Sequence, residues 1–177
     1  FNKGNLSDEA SKAVKLLRDS GIIVAGGFMI GNPEDNEHDL WTNFEIAKQM
    51  KVDFPIFFIT TPYPKTRLRD ELIEMGMVVN MTDFSTYNGI YANVRTKHLT
   101  REEIQYNMWK MAAAYYDSEW MNWNLMRKHY PVYFYKELLT LLPKYAYRKI
   151  LYKLGLKTER EFFEEDAKTR QFYKGVH

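Results

Sequence analysis

Two short apolar runs, residues 22–30 and 54–60, constrain the possible folds of this chain more than any other feature. The first reads Ile-Ile-Val-Ala-Gly-Gly-Phe-Met-Ile and the second Phe-Pro-Ile-Phe-Phe-Ile-Thr. Both are continuous, partly β-branched and aromatic, which favours strands. Neither alternates apolar with polar residues, so each reads as a strand buried on both faces, the kind found in helix-covered parallel sheets. Between them, Leu40, Trp41, Phe44 and Ala47 recur at helical spacing within residues 36–50. Strand, helix and strand with a crossover of this length make a βαβ unit. The expected fold class is therefore α/β, an open sheet or a barrel.

Helix signals flank this unit. Ser7 suits an N-cap, with Asp8 and Glu9 in the first turn and Ala10, Ala13, Val14 and Leu17 behind it. Gly21 ends that helix. A short helix is expected over residues 67–75, closed by Gly76. The pattern weakens over residues 77–97, where 89–95 reads as another short strand. Thr100-Arg101-Glu102-Glu103 is a capping box for a long helix with Ile104, Met108, Met111, Ala112 and Tyr115 on one face. Pro131 marks the next break. Residues 132–153 read as helical with an interruption near Pro143, and the last twenty residues, being polar, are expected to fray.

Composition bounds the function. Of 177 residues, 45% are hydrophobic and 27% charged, a globular balance. The formal net charge of +2 gives no nucleic-acid footprint. No apolar run is long enough to span a bilayer, and no secretory signal stands at the start. The chain opens at Phe1 almost directly into a helix signal, which suggests part of a longer protein. With no cysteine it has no disulfide, thiolate metal ligand or cysteine nucleophile. A cytoplasmic setting fits that composition.

The chemistry concentrates where the strands end. Glycine inside a strand weakens it and is tolerated where a ligand or another backbone comes close. Gly26 and Gly27 lie toward the exit of the first strand and Gly31 at its turn. In parallel α/β sheets and barrels, ligands bind at the C-terminal ends of strands. The turns 31–34 and 60–66 would share one rim if the two strands are neighbours. The alternative reading is that these glycines serve only tight helix–strand packing. The segment is neither a P-loop, lacking Gly-Lys-Ser/Thr, nor a dinucleotide fingerprint, its glycine spacing being wrong.

Gly27-Phe28-Met29-Ile30-Gly31-Asn32-Pro33-Glu34 resembles the G-x-I-x-G-x-x-E element of radical S-adenosylmethionine enzymes, with Met29 at the Ile position. Thr61-Pro62-Tyr63-Pro64-Lys65-Thr66 resembles that family's T-P-Y-P-G-T signature, with Lys65 replacing the usual Gly. The Leu-Arg-Asp-Glu-Leu run that follows is also similar. The resemblance covers roughly residues 3–100. It is nearest to the group with a cobalamin-binding domain, which includes the anaerobic magnesium-protoporphyrin IX monomethyl ester oxidative cyclases. It implies the C-terminal βα units of a partial (βα) TIM-like barrel over residues 1–98, with two to three parallel strands. A mostly helical C-terminal extension would occupy residues 99–177. The family's CxxxCxxC motif is absent, so the chain reads as the C-terminal part of a longer enzyme and as inactive alone. The implied cofactors of the intact enzyme are S-adenosylmethionine and a 4Fe-4S cluster, with cobalamin an open option. Gly27, Met29 and Gly31 would shape the adenine-side wall. Glu34 would hold the turn or hydrogen-bond near the cofactor. Thr60 and Thr61 would stand near adenine or substrate, and Tyr63 would line the mouth on the substrate side. Radical hydrogen abstraction, of oxidative cyclase or methyltransferase type, is the implied reaction. A porphyrin, lipid, peptide or small metabolite would suit as substrate, and upstream domains of the same protein as partners.

Other features have plainer readings. His38 neighbours Glu34, Glu37 and Asp39 at a helix start, which is usually a solvated, dipole-favoured face rather than a metal site. Neither it nor His98, His129 and His177 offers a convincing ligand set. Tyr115, Tyr116, Trp120 and Trp123 read as helix-packing aromatics, or else as a wall for a planar substrate. Residues 127–157 hold eight Lys and Arg against Glu137, with Leu, Ile and Tyr interleaved. That basic amphipathic pattern suits a solvated helix or an anionic membrane surface. It also supports an alternative reading of the chain as a non-catalytic α/β interaction module, docked peripherally on membrane or on a protein partner. RNA is disfavoured for want of a stacking module.

Overall fold

Asn36 and Asp39 exchange hydrogen bonds as a capping box, and that box starts the crossover helix of the βαβ unit. The fold is seen in a computed structural model that describes residues 7–116 and 131–169. It forms two compact units, Phe1–Asn122 and Trp123–His177.

In the first unit, α1 (Ser7–Asp19) leads to β1 (Ala25–Ile30), α2 (Glu37–Met50), β2 (Phe54–Ile59) and α3 (Arg67–Glu74). A 3-10 turn (Phe84–Thr86) and α4 (Arg101–Tyr116) follow. β1 and β2 pair in parallel, with Gly27 beside Ile56 and Met29 beside Phe58. The α/β expectation, with two parallel strands and helices, therefore holds. Buried Asp53 fixes the strand entrances: its Oδ2 accepts the Val24 amide at 3.0 Å, and Oδ1 lies 3.2 Å from Arg18 Nη1.

The burial of the strands differs from expectation. One face, with Ile30, Phe57 and Ile59, packs into a core with Leu40, Phe44 and Ala47 of α2 and Ile104, Met108, Met111 and Tyr115 of α4. The opposite face is exposed: Met29 is 44% accessible, Ile56 39% and Phe58 36%. β1 also begins at Ala25, not at residue 22. The strands are thus buried on one side only. Side-chain direction alternates along a strand, but apolar residues occupy both faces, so the sequence carries no polar marker of the open one.

The segment 89–95 is not a strand; only Val78 and Val94 form an isolated antiparallel bridge. Side-chain amides hold this stretch instead. Asn80 Nδ2 donates to Asn93 Oδ1 at 2.8 Å, and fully buried Asn93 donates back to the Thr86 carbonyl at 2.9 Å. Such local bonds compete with sheet pairing. The Gly89 carbonyl accepts the Ile59 amide at 2.7 Å, which satisfies a donor on the outer edge of β2. The expected capping box at Thr100 and Glu103 is present.

In the second unit, α5 (Pro131–Lys153) runs through Pro143 without the expected interruption. Pro143 removes the amide that would serve the Leu139 carbonyl and crowds that carbonyl with its ring, yet the helix continues past it. Within the polar end, α6 (Glu159–Thr169) forms behind a Thr158–Glu161 capping box, with Phe162 buried, and residues 170–177 lie outside the described ones. Tyr116 lies in α4, but its side chain, together with Trp120, Trp123, His129 and His177, falls outside what is described. Among the described residues no helix is long and apolar enough to cross a membrane.

Candidate functional site

Parallel pairing brings both strand ends to one rim, as the two signatures require. On the exposed face Gly27 and Met29 lie beside Ile56 and Phe58. Gly27 has a steric reason to lack a side chain, since a Cβ there would stand 3.2 Å from the Phe58 ring. A Cβ at Gly89 would approach the same ring to 2.9 Å. Phe58 therefore lies between two glycines, as part of an apolar, uncharged surface. It was missed in the sequence because its run gives no sign of which face is open; its register with Met29 is the missing clue.

The rim is stiffened by main-chain bonds. Gly31 turns the chain at φ +77°, a left-handed conformation that suits glycine. Buried Thr60 donates its amide to the Ile30 carbonyl at 2.9 Å, and its hydroxyl is 3.2 Å from the same oxygen and 3.4 Å from Asn32 Oδ1. The Thr61 hydroxyl donates to the Ile59 carbonyl at 2.9 Å. Thr60 thus ties the two strand ends together, whereas the Thr61 hydroxyl braces only the end of its own strand. Glu34 projects outward and pairs with Lys97 at 2.5 Å, while the Lys97 amide donates to the Pro33 carbonyl. Glu34 thus bridges its turn to the segment before α4 through an exposed ion pair.

Tyr63 is exposed at the mouth, with its ring edge-on to Tyr87 at 6.4 Å between centroids. Arg69 of α3 fastens this corner. Its Nη1 donates to the Pro62 carbonyl and to the Tyr87 hydroxyl, and its Nη2 to the Met81 carbonyl. Its guanidinium also lies 5.6 Å from the Phe84 ring centre. The adjacent Asp83 carboxyl is held below its ordinary value by the hydroxyl and amide of Ser85. Arg69 stands in the Leu-Arg-Asp-Glu-Leu run, but nothing in that run identifies its partners. Tyr115 is core: fully buried, edge-on to Phe44, its hydroxyl donates to the carbonyls of Val52 and Ala47.

A rigid rim beside an open apolar sheet face can seat a flat, uncharged ring.

Relatives with curated names supply the chemical context. An uncharacterized methyltransferase of Pyrococcus horikoshii is 30% identical over 116 residues, 66% of this chain and 25% of the relative. Bacteriochlorophyllide d C-8(2)-methyltransferase of Chlorobaculum tepidum is 26% identical over 85% of this chain and 32% of its own length. Anaerobic magnesium-protoporphyrin IX monomethyl ester cyclase of Cereibacter sphaeroides is 27% identical over 73% of this chain and 22% of its own. The chain thus spans about a fifth to a third of the length of the relatives it matches. No protein-family model matches it. These relatives carry the names of enzymes and lend no support to a non-catalytic module. These relatives belong to the radical S-adenosylmethionine superfamily, and this chain is similar to them at low identity over part of their length.

Proposed function

We propose that this chain supplies the adenine-side wall of the S-adenosylmethionine site, and part of the substrate enclosure, in a radical enzyme of oxidative cyclase or methyltransferase type. The observation that carries the reading is the open sheet face: Gly27, Met29 and Phe58 present apolar surface beside the braced turns at Gly31 and Thr61. These residues fit the nucleoside half of the cofactor, which needs a flat apolar wall and a rigid rim. They do not fit a 4Fe-4S cluster, because the chain has no cysteine to ligate iron. In this reading the cluster ligands belong to the remainder of an intact enzyme, and this chain alone is inactive.

S-adenosylmethionine, when bound, supplies the radical chemistry, and the protein supplies binding and orientation. Met29 and Phe58 would cover the purine face and keep water from it. Gly27 would keep the wall flat. Thr60 would hold the two strand ends in register and Thr61 would brace the end of the second strand, so that the reacting end of the cofactor is aimed. Tyr63, fixed against Tyr87, would border the substrate.

Calorimetric titration of the chain with S-adenosylhomocysteine tests this reading. Met29→Glu places a carboxylate on the wall and is expected to weaken binding at least tenfold, whereas Met29→Leu preserves it. Equal affinity for wild type and Met29→Glu would refute the site.

A further inference from the structure

The second compact unit has a surface that the nucleoside site does not use. On α5, Val132, Tyr135, Leu139, Leu142, Ala146 and Ile150 follow one another at steps of three or four residues, so they form one stripe. All six are exposed, Val132 to 82% and Leu139 to 72%. Exposed lysines Lys136, Lys149 and Lys153 flank the stripe or interrupt its C-terminal end. The helix α6 does not cover it. The contacts with α6 include Arg148, whose guanidinium lies 5.3 Å from the Phe162 ring centre. Arg148 is two positions from Ile150, about 200° around the helix and thus on the far side from the stripe.

Charge is segregated in the same sense. The α5 sequence has five Lys and Arg against the single carboxylate Glu137. The α6 sequence has five carboxylates against Arg160 and Lys168. An apolar stripe with basic flanks on one helix, backed by an acidic helix, suits a negatively charged apolar boundary. α5 is not apolar enough to cross a bilayer, but it can lie in an interface.

We propose that α5 docks this chain on an anionic lipid surface, with the stripe in the acyl boundary and Lys136, Lys149 and Lys153 among the headgroups. Tyr135 sits at the level where aromatic rings favour the interface. The proposal rests on the second unit alone and stands or falls independently of the nucleoside wall.

The test is flotation of the full chain with phosphatidylcholine vesicles, with and without phosphatidylserine. Binding is expected only with phosphatidylserine and is expected to fall as salt rises. Each cation near such a surface is worth roughly a fivefold change in partitioning. Reversing Lys136, Lys149 and Lys153 together to Glu should therefore weaken partitioning at least about 100-fold. Leu139→Ser with Leu142→Ser should abolish binding to phosphatidylserine vesicles while leaving the circular dichroism of the chain unchanged. Equal binding to neutral vesicles, salt-insensitive binding, or no binding overturns the proposal. So does self-association in sedimentation that the two serine substitutions remove, because a second copy would then own the stripe. The wild-type lipid and salt dependence decides the matter even if a variant fails to fold.

Discussion

Lys65→Gly should make this chain more stable, although it removes a side chain and adds no contact. Lys65 stands where the resembling signature has glycine, and its φ is +62°. A non-glycine residue in the left-handed region costs about 1–2 kcal/mol, because Cβ crowds the following carbonyl. Lys65 is exposed, so truncation forfeits little packing. Against the relief stands the extra freedom of glycine in the unfolded chain, about 0.4–1 kcal/mol. The expected net gain is about 0.5–1 kcal/mol, or about 1–4 °C in Tm for a chain of this size. Urea denaturation followed by circular dichroism reads the first quantity and scanning calorimetry the second. Lys65→Ala is the control: it removes the charge and the long side chain but keeps Cβ, so it should give no such gain. Lys51, at φ +57° at the end of α2, provides an independent repeat, and Lys51→Gly should gain similarly. If Lys65→Ala stabilises as much as Lys65→Gly, the side chain and not the backbone is responsible. If Lys65→Gly destabilises, the turn does not carry the assigned strain.

Three further outcomes follow from the geometry. Gly31→Ala should cost about 0.5–1 kcal/mol, backbone strain of about 1–2 kcal/mol being partly offset by the lower freedom of alanine in the unfolded chain, since its Cβ would meet Ile104 and Ile59 at an ordinary 3.5 Å; urea midpoints measure it. Tyr115→Phe removes a fully buried donor to the Val52 and Ala47 carbonyls and should cost about 1–2 kcal/mol in the same assay. The amide and hydroxyl of Thr158 hold the Glu161 carboxyl below its ordinary value. A depressed carboxylate contributes stability above its unfolded pKa and loses it as pH falls through the folded value. The start of α6 should therefore loosen in acid below the usual glutamate range, read by amide hydrogen exchange, and Glu161→Gln should flatten that dependence.

The sequence disclosed the parts of the fold that rest on local chemistry. Thr100 with Glu103 announced the start of α4, and the spacing of Leu40, Phe44 and Ala47 announced the buried side of α2. The βαβ rhythm and the shared rim came from run length and turn residues. What stayed hidden depends on neighbours distant in sequence. Met29, Ile56 and Phe58 look like core residues because they are apolar, yet they face outward. The stretch after α3 looked extended because Val94 and its neighbours suit a strand, but Asn80, Thr86 and Asn93 satisfy one another and hold a loop. Arg69 joins the Pro62 turn to Met81 and Tyr87 across distances no local pattern encodes. At the site, Gly27 and Met29 were legible as residues, whereas their placement against Phe58 required the strand register.

The most direct test of the nucleoside wall is photo-crosslinking with an 8-azidoadenosyl analogue of S-adenosylmethionine, followed by peptide mapping of the adducts. Adducts on residues 27–31 and 58–63, displaced by unlabelled S-adenosylmethionine, are the expected result. Adducts confined to α1, α5 or α6, or labelling that unlabelled cofactor does not displace, would contradict the assignment of the open sheet face to the adenine.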